Sequence, residues 1–540
     1  MRPRARPRRP RARSPQHRSG TGKSAGRWRG ATVVCVASGP SLHLDDLALV
    51  RAWRDAEPEV RKVIAVNNAG LEPFAPWADV LFAGDARWWR HYWRPIEDST
   101  AELWTTSDAQ ADVPGMNWIR GLDNDEPGIS ASPNHIHAGG NSGYGALGLA
   151  ALWGASRVIL TGYDMQRSPR AAHAHADHPR HLGNPDAGTL NLWVDRYAVA
   201  ARDLRQRGIE VVNCTRSTAL RCFDRQPLDL VIERPPIYVQ GMNGLGDNLY
   251  SRPFVRALAR GHTVHLRTPW PQLYADLEHV TIARTGTRLR TQARNEAGFR
   301  DLYAKGDRAV LAVARKGRTA VRRISYVRAL STGRSMLDGL RETFECAPFG
   351  AMDLPPLPPS PVASGKPVCV VRPVTVRREW KNTARNPKPE YVRDVAAWLR
   401  AEGMHVVSVA DLAPGQEDAA GPLPEADETF HRGELDLLQL LALIASAAAV
   451  VGPVGWIVPA AIAARVPLFV LFGGQGAHNA PDRITDDSLM LNLVGWGTPD
   501  EFCRCASPTH GCRKTNTQLR DQFDDWRLRV ARVPRPAMVA

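Results

Sequence analysis

Two short clusters carry most of the reactive side chains. His173-Ala174-His175-Ala176-Asp177-His178-Pro179-Arg180-His181 puts four His and one Asp into nine residues. Imidazole titrates near neutral pH, so His175 or His178 could act as a general base or acid. The same side chains suit a divalent metal ion, and a polar surface loop is the third reading. Cys503, Cys505, His510 and Cys512 form a C-x-C-x4-H-x-C pattern. Three thiols and an imidazole could hold a structural zinc, although the usual C-x2-C knuckle is missing. Asp85 and Asp164 each follow an apolar run and would be natural Mg²⁺ ligands in phosphoryl or pyrophosphoryl transfer. Gly22-Lys23-Ser24 imitates the end of a phosphate-binding loop. His17 stands where its first Gly should be, and no strand precedes it, so that reading is rejected.

Elements that could position these groups repeat along residues 31–232. Thr32-Val33-Val34-Cys35-Val36-Ala37 is a β-branched run and reads as a buried strand. Ser38-Gly39-Pro40-Ser41-Leu42 follows, and a helix opens near Asp45. A strand, a Gly/Ser turn and a helix start aim free N–H groups at one spot, which makes an anion site; a simple tight turn is the alternative. Further strands end in Asn67-Asn68, Gly84-Asp85 and Thr161-Gly162-Tyr163-Asp164. Gly140-Asn141-Ser142-Gly143-Tyr144 opens an apolar helix. Open parallel sheets bind ligands at these carboxyl ends.

The pattern starts again at Ile237-Tyr238-Val239-Gln240, followed by the turn Gly241-Met242-Asn243-Gly244-Leu245-Gly246-Asp247-Asn248 and a helix. Its Gly spacing is not the dinucleotide fingerprint, so NAD is not implied. A Pro-rich linker spans 351–366, and the strand Pro367-Val368-Cys369-Val370-Val371 opens another series. Leu437 to Ala464 contains no charged residue, but Gly452, Pro453, Gly455 and Pro459 interrupt it. It reads as helix, strand and helix of a buried core rather than a membrane span.

Residues 31–232 resemble the family that joins hydroxymethylpterin pyrophosphokinase-like proteins with motility accessory factor glycosyltransferases. They are also similar to sialyltransferases that use CMP-sugars. The resemblance rests on Val34 to Leu42, Asn67-Asn68, Gly140 to Tyr144 and Thr161 to Asp164, in that order. It implies a Rossmann-like transferase module in which Ser38, Gly39, Ser41, Asn67 and Ser142 face a nucleotide. Residues 236–540 resemble glycosyltransferase family nine, the heptosyltransferases. There the resemblance rests on Gly244 to Asn248, Arg378-Glu379-Trp380-Lys381, Leu437 to Ala464 and Pro467 to Gly473. It implies a GT-B pair, with halves at 236–350 and 367–540, and Asp247 as candidate base on the acceptor side. Arg378 and Lys381 would meet donor phosphates, or else form a solvated basic loop. The family's Asp-Ser/Thr-Gly turn is replaced by Gly452-Pro453-Val454-Gly455-Trp456. Backbone N–H groups at Gly455 and the next helix start would bind phosphate instead. Tail cysteines recur in this family, so packing is preferred over zinc for the Cys/His cluster.

The fold class expected is therefore α/β, with several Rossmann-like parallel-sheet units. Composition agrees: of 540 residues 43% are hydrophobic and 23% charged, which excludes a disordered, collagenous or polytopic membrane chain. Net charge is +15, but residues 1–30 hold ten Arg, one Lys and no acid, which leaves +4 for the rest. A nucleic-acid groove in the folded part is excluded on that balance. The segment 1–30 reads as a disordered Arg/Pro-rich tail, able at most to touch nucleic acid or an anionic surface weakly. Eight Cys and no secretory signal point to a reducing cytoplasm, and the pairing of two such modules fits, by analogy, a bacterial or phage-infected cell. The expected function is transfer of a sugar from a nucleotide-activated donor to a hydroxyl acceptor. Two alternatives stand beside it: Mg²⁺-dependent pyrophosphoryl transfer by the first module, and a non-catalytic binding protein recruited by its tail.

Overall fold

A computed structural model describes residues 25–533, other than 97–98, 123–126, 170, 176, 317–319, 378 and 380–381. The chain forms two units, Met1–Pro235 and Pro236–Ala540.

The N-terminal unit is built on one parallel sheet. Its strands are β1 (Thr32–Val36), β2 (Arg61–Val66), β3 (Val80–Phe82), β4 (Glu102–Thr105), β5 (Met116–Trp118), β6 (Arg157–Thr161), β7 (Glu210–Asn213) and β8 (Asp224–Arg225). They lie in the order β8-β7-β6-β1-β2-β3-β4-β5. Val33, Val34, Cys35 and Val36 are completely buried, as a continuous β-branched run requires when helices cover both faces. Helices α1 (Leu44–Ala56), α2 (Ala86–Tyr92), α3 (Ser142–Leu152) and α4 (Ala187–Gln206) include those that follow β1 and β3. Asn141 caps α3 by accepting from the Tyr144 N–H at 2.9 Å. β1 pairs in register with both β2 and β6, so the order reverses beside it. The carboxyl ends of β1 and β6 thus form the switch-point crevice where such sheets take ligands.

Residues 25–30, expected to be tail, are instead folded. Trp28 is buried, with its ring 4.4 Å from that of Trp153, and Arg27 pairs with Glu102. The rest of the expected tail, 1–24, lies outside the described residues.

The C-terminal unit holds two parallel sheets. The first comprises β9 (Pro236–Gln240), β10 (Thr263–Arg267), β11 (Val280–Ala283) and β12 (Ala320–Arg323), ordered β11-β10-β9-β12. The second comprises β13 (Val368–Val371), β14 (His405–Val409), β15 (Glu428–Phe430), β16 (Ala449–Pro453), β17 (Leu468–Leu471) and β18 (Val494–Gly497), ordered β15-β14-β13-β16-β17-β18. This is the α/β fold with several parallel sheets. The helices used below are α5 (Leu245–Ala259), α6 (Arg290–Gly298), α7 (Val327–Ser331), α8 (Leu437–Ala445) and α9 (Ile457–Ala464). Gly246 brings α5 against the start of α9: a Cβ there would stand 3.2 Å from Trp456 Cα. One apolar core runs through both sheets, from Ile237 and Phe254 to Val450 and Val470. The Pro-rich stretch 351–366 forms no helix or strand, and it sinks Met352 and Val362 into this core. Among the described residues no helix is long and apolar enough to cross a membrane.

Candidate functional site

The two sheets of the C-terminal unit face a cavity of 920 Å³. Asp247 enters it from the first turn of α5. Its position is set by the Gly-rich turn, whose carbonyls at Met242 and Gly244 accept from Asn248 Nδ2 at 2.7 and 2.8 Å. Gly244 can carry no side chain, because a Cβ would collide with the Asp247 carboxylate. Tyr326, just before α7, donates its hydroxyl to Asp247 Oδ1 at 2.9 Å. Burial raises the pKa of Asp247 above the usual carboxylate range, against the lowering effects of the Tyr326 hydrogen bond and the positive field of Arg385. A carboxylate held in this way is a stronger base than a solvated one.

The opposite wall comes from the second sheet and carries arginines. Arg372 leaves the carboxyl end of β13 and Arg377 follows it. Arg372 donates to Glu417 Oε1 at 3.1 Å and Arg377 to the same oxygen at 2.7 Å. Burial alone would raise Glu417, but the two arginines hold it below its ordinary value. Arg294 is paired with Asp411. Arg385 differs, because its Nε is buried with no hydrogen-bond partner. Burial and the repulsion of Arg372 lower its pKa to about 10, so it remains a cation. Among the described residues that line the cavity, Arg385 has a guanidinium nitrogen, Nε, that is buried with no hydrogen-bond partner and open to an anion. Gly455 also lines the cavity, at the start of α9, where the Arg372 guanidinium packs beside its backbone. Arg378 and Lys381, the basic residues singled out from the sequence, lie outside the described residues.

The segment that bears Arg385 hangs from the Cys-containing loop. Ala384 N–H donates to Pro508 O at 3.0 Å, Lys514 to Thr383 O at 2.6 Å, and Gln475 Nε2 to Ala506 O at 3.1 Å. Within that loop Cys503 Sγ is 3.6 Å from His510 Nδ1. His510 Nδ1 is 3.4 Å from Cys512 Sγ, and Cys505 Sγ is 3.5 Å from Cys512 Sγ. All four donor atoms lie within 4.8 Å of one another. Ligands at about 2.3 Å on a tetrahedral zinc stand roughly 3.8 Å apart, so the set has the size of a metal tetrad. The unusual C-x-C-x4-H-x-C spacing works because the chain reverses at Ser507-Pro508-Thr509.

The N-terminal unit places its expected residues differently. The Ser38–Leu42 turn does cross the switch point, but its amides are already engaged. Gly39 N–H donates to Gly162 O, Leu42 N–H to Gly39 O, and Ser41 N–H to Asp164 Oδ2 at 2.9 Å. The expected anion nest is therefore filled by the chain's own carboxylate. Ser142 Oγ accepts from Gly84 N–H at 3.1 Å. Asn67 sits at the end of β2 with φ +50°, and its Oδ1 is buried with no hydrogen-bond partner. Asp164 is buried, which pushes its pKa up to about 6 despite the Ser41 hydrogen bonds. Asp85 caps α2 through the Arg87 N–H at 2.7 Å and pairs with the Arg87 side chain. Asp85 and Asp164 end strands three places apart in the sheet, roughly 14 Å at the usual strand spacing.

The His loop lies over the same edge, with Ala174 N–H donating to Ser38 O at 2.9 Å. The rings of His173 and His175 stack, and that of His178 meets both at a steep angle, with all three centroids 4.7–4.8 Å apart. Burial, followed by the charge of the neighbouring His rings, lowers His173 and brings His178 to about 4. Both rings are neutral at pH 7. His181 lies apart from the three, against His91.

Parts of the chain are similar to solved structures at low identity. The iron-containing dodecameric glycosyltransferase TibC of enterotoxigenic E. coli H10407 is 14% identical over 56% of this chain and 82% of its own, with a TM-score of 0.37. The E. coli ADP-heptose lipopolysaccharide heptosyltransferase II is 16% identical over 55% and 99%, with a TM-score of 0.33. A family nine glycosyltransferase of Veillonella parvula is 12% identical over 55% and 98%, with a TM-score of 0.35. No family model matches the chain. No curated protein matches it either.

Proposed function

We propose that the C-terminal unit is a glycosyltransferase that moves a sugar from a nucleotide-activated donor to a hydroxyl acceptor. One observation carries this reading. A carboxyl with a raised pKa, Asp247, and a guanidinium whose buried Nε has no hydrogen-bond partner, Arg385, line the same cavity between two parallel sheets. Asp247 takes the proton from the acceptor hydroxyl as its oxygen bonds to the anomeric carbon. The bond from that carbon to the donor phosphate breaks, and the nucleotide leaves with the electron pair. Arg385 and the N–H groups at the start of α9 stabilise the charge that develops on the leaving phosphate. Tyr326 orients Asp247 and supports its ionised form.

The Cys503, Cys505, His510 and Cys512 tetrad fits a zinc or iron ion by donor type and spacing. In this reading the ion is structural. It fixes the loop from which the Arg385 segment hangs.

The test is binding followed by turnover. Nucleotides and nucleotide sugars are screened by thermal shift, and ADP-heptose is included because it is named for the heptosyltransferase above. A donor that binds only the native state raises Tm. Arg385→Gln should weaken that donor at least tenfold. Asp247→Asn should leave donor binding intact and lower kcat by about 10²–10⁴-fold. A full-length chain that binds no nucleotide sugar, or an Asp247→Asn variant with unchanged kcat, would overturn the assignment.

A further inference from the structure

The three clustered imidazoles of the N-terminal unit play no part in the site above. We propose that His173, His175 and His178 bind a divalent transition cation of the zinc class, as a metal centre separate from the cysteine tetrad. Each ring offers one nitrogen, and the three ligand atoms lie within 4.8 Å of one another. Imidazoles on a tetrahedral ion at about 2.0–2.1 Å stand roughly 3.3 Å apart, so a small inward movement of three loop side chains completes the set.

The outer partners are those of a metal-binding histidine. His173 Nε2 donates to Asn184 Oδ1 at 3.1 Å, which leaves its other nitrogen's lone pair for an ion. His178 Nδ1 lies 3.3 Å from Tyr92 OH, a contact that holds the ring in place. Asn184 Oδ1 also accepts the His178 N–H at 3.2 Å, so one amide fixes two of the three ligands. A carbonyl oxygen on the distal ring nitrogen is the usual means of setting tautomer and orientation in metal sites.

Three protein ligands leave one position of a tetrahedral ion open. That is the pattern of a reactive centre, in contrast to the closed Cys₃His set. The ion would be carried on the loop tied to the Ser38 turn, beside the crevice between β1 and β6. There it would take an oxygen ligand, either water or a substrate phosphate or hydroxyl.

Cobalt(II) distinguishes the two sites, because thiolate ligands give an intense near-ultraviolet charge-transfer band and imidazoles do not. The full chain carrying Cys505→Ser and Cys512→Ser is stripped of metal and titrated with Co²⁺. One equivalent should bind, with visible ligand-field bands and no thiolate band. Adding His175→Gln or His178→Gln to that background should weaken Co²⁺ binding at least a hundredfold, with the far-ultraviolet spectrum and melting of the metal-free proteins unchanged. Asn184→Ala gives a second reading: an intermediate loss of affinity, since it removes orientation and no ligand. The proposal is overturned if the Cys-substituted chain binds no Co²⁺. It is equally overturned if the His substitutions leave binding as it was in proteins that melt normally.

Discussion

At Asp247 a single hydroxyl tunes a single acid. The Tyr326 hydrogen bond favours the carboxylate, while burial opposes it. Tyr326→Phe removes the favourable part, so the pKa of Asp247 should rise further. The acid limb of the kcat/KM profile should move to higher pH, with little change in the KM of the donor. An unmoved limb would assign the limb to another group. Asp247 was legible in the sequence because a Gly-rich turn between a strand and a helix announces it. Arg385 was not. It lies in an irregular polar segment, and nothing in Asn382-Thr383-Ala384-Arg385-Asn386 shows that this one guanidinium is left without a carboxylate. That depends on Glu417 and Asp411, which come later in the chain and engage Arg372, Arg377 and Arg294.

Among elements, the β1–β6 edge carries a pH dependence. Asp164 has a native pKa of about 6, raised by burial above an unfolded value of about 3.9. Between these values the native state holds a proton that the unfolded chain has released. Stability of the N-terminal unit therefore falls as pH rises through that window. The full loss is roughly 3 kcal/mol at neutral pH. Asp164→Asn keeps the acceptor for Ser41 N–H and should flatten the dependence, which urea melts at about pH 4.5 and about pH 7 would show. The parallel strands were readable because β-branched runs such as 157–160 admit few other structures. Helix α6 was not. It buries Gln292 and Glu296 rather than apolar side chains, with Glu296 Oε1 accepting from the Thr285 N–H at 2.7 Å. A hydrophobic period cannot reveal a helix that packs through hydrogen bonds.

For the whole molecule, two metal-competent clusters sit in two units, and each has its own readout. Cys512→Ser should remove one equivalent of bound metal from the purified chain, as measured by elemental analysis. It should also lower Tm and raise the KM of the donor several-fold, because the Arg385 segment loses its support. Unchanged metal content would show that the tetrad is only packed cysteine. The clusters were visible in the sequence as composition. Their separation into a closed four-ligand set and an open three-ligand set was not, because it depends on how each loop folds back on itself.

Helix α6 belongs to the first half of the C-terminal unit, yet its outward side chains are fastened to the second. Arg290 grips Glu379 at 2.6 Å, Arg294 grips Asp411 at 2.7 Å, and Thr291 reaches Gln416 at 3.2 Å. Partly exposed pairs of this kind are worth at most about 1 kcal/mol each and fade over a Debye length of roughly 8 Å in physiological salt. They tie the two halves of the unit together across the cavity that both line. Raising ionic strength should loosen that tie and speed dissociation of a ligand bound there, which dissociation rates measured in dilute and in concentrated salt would show.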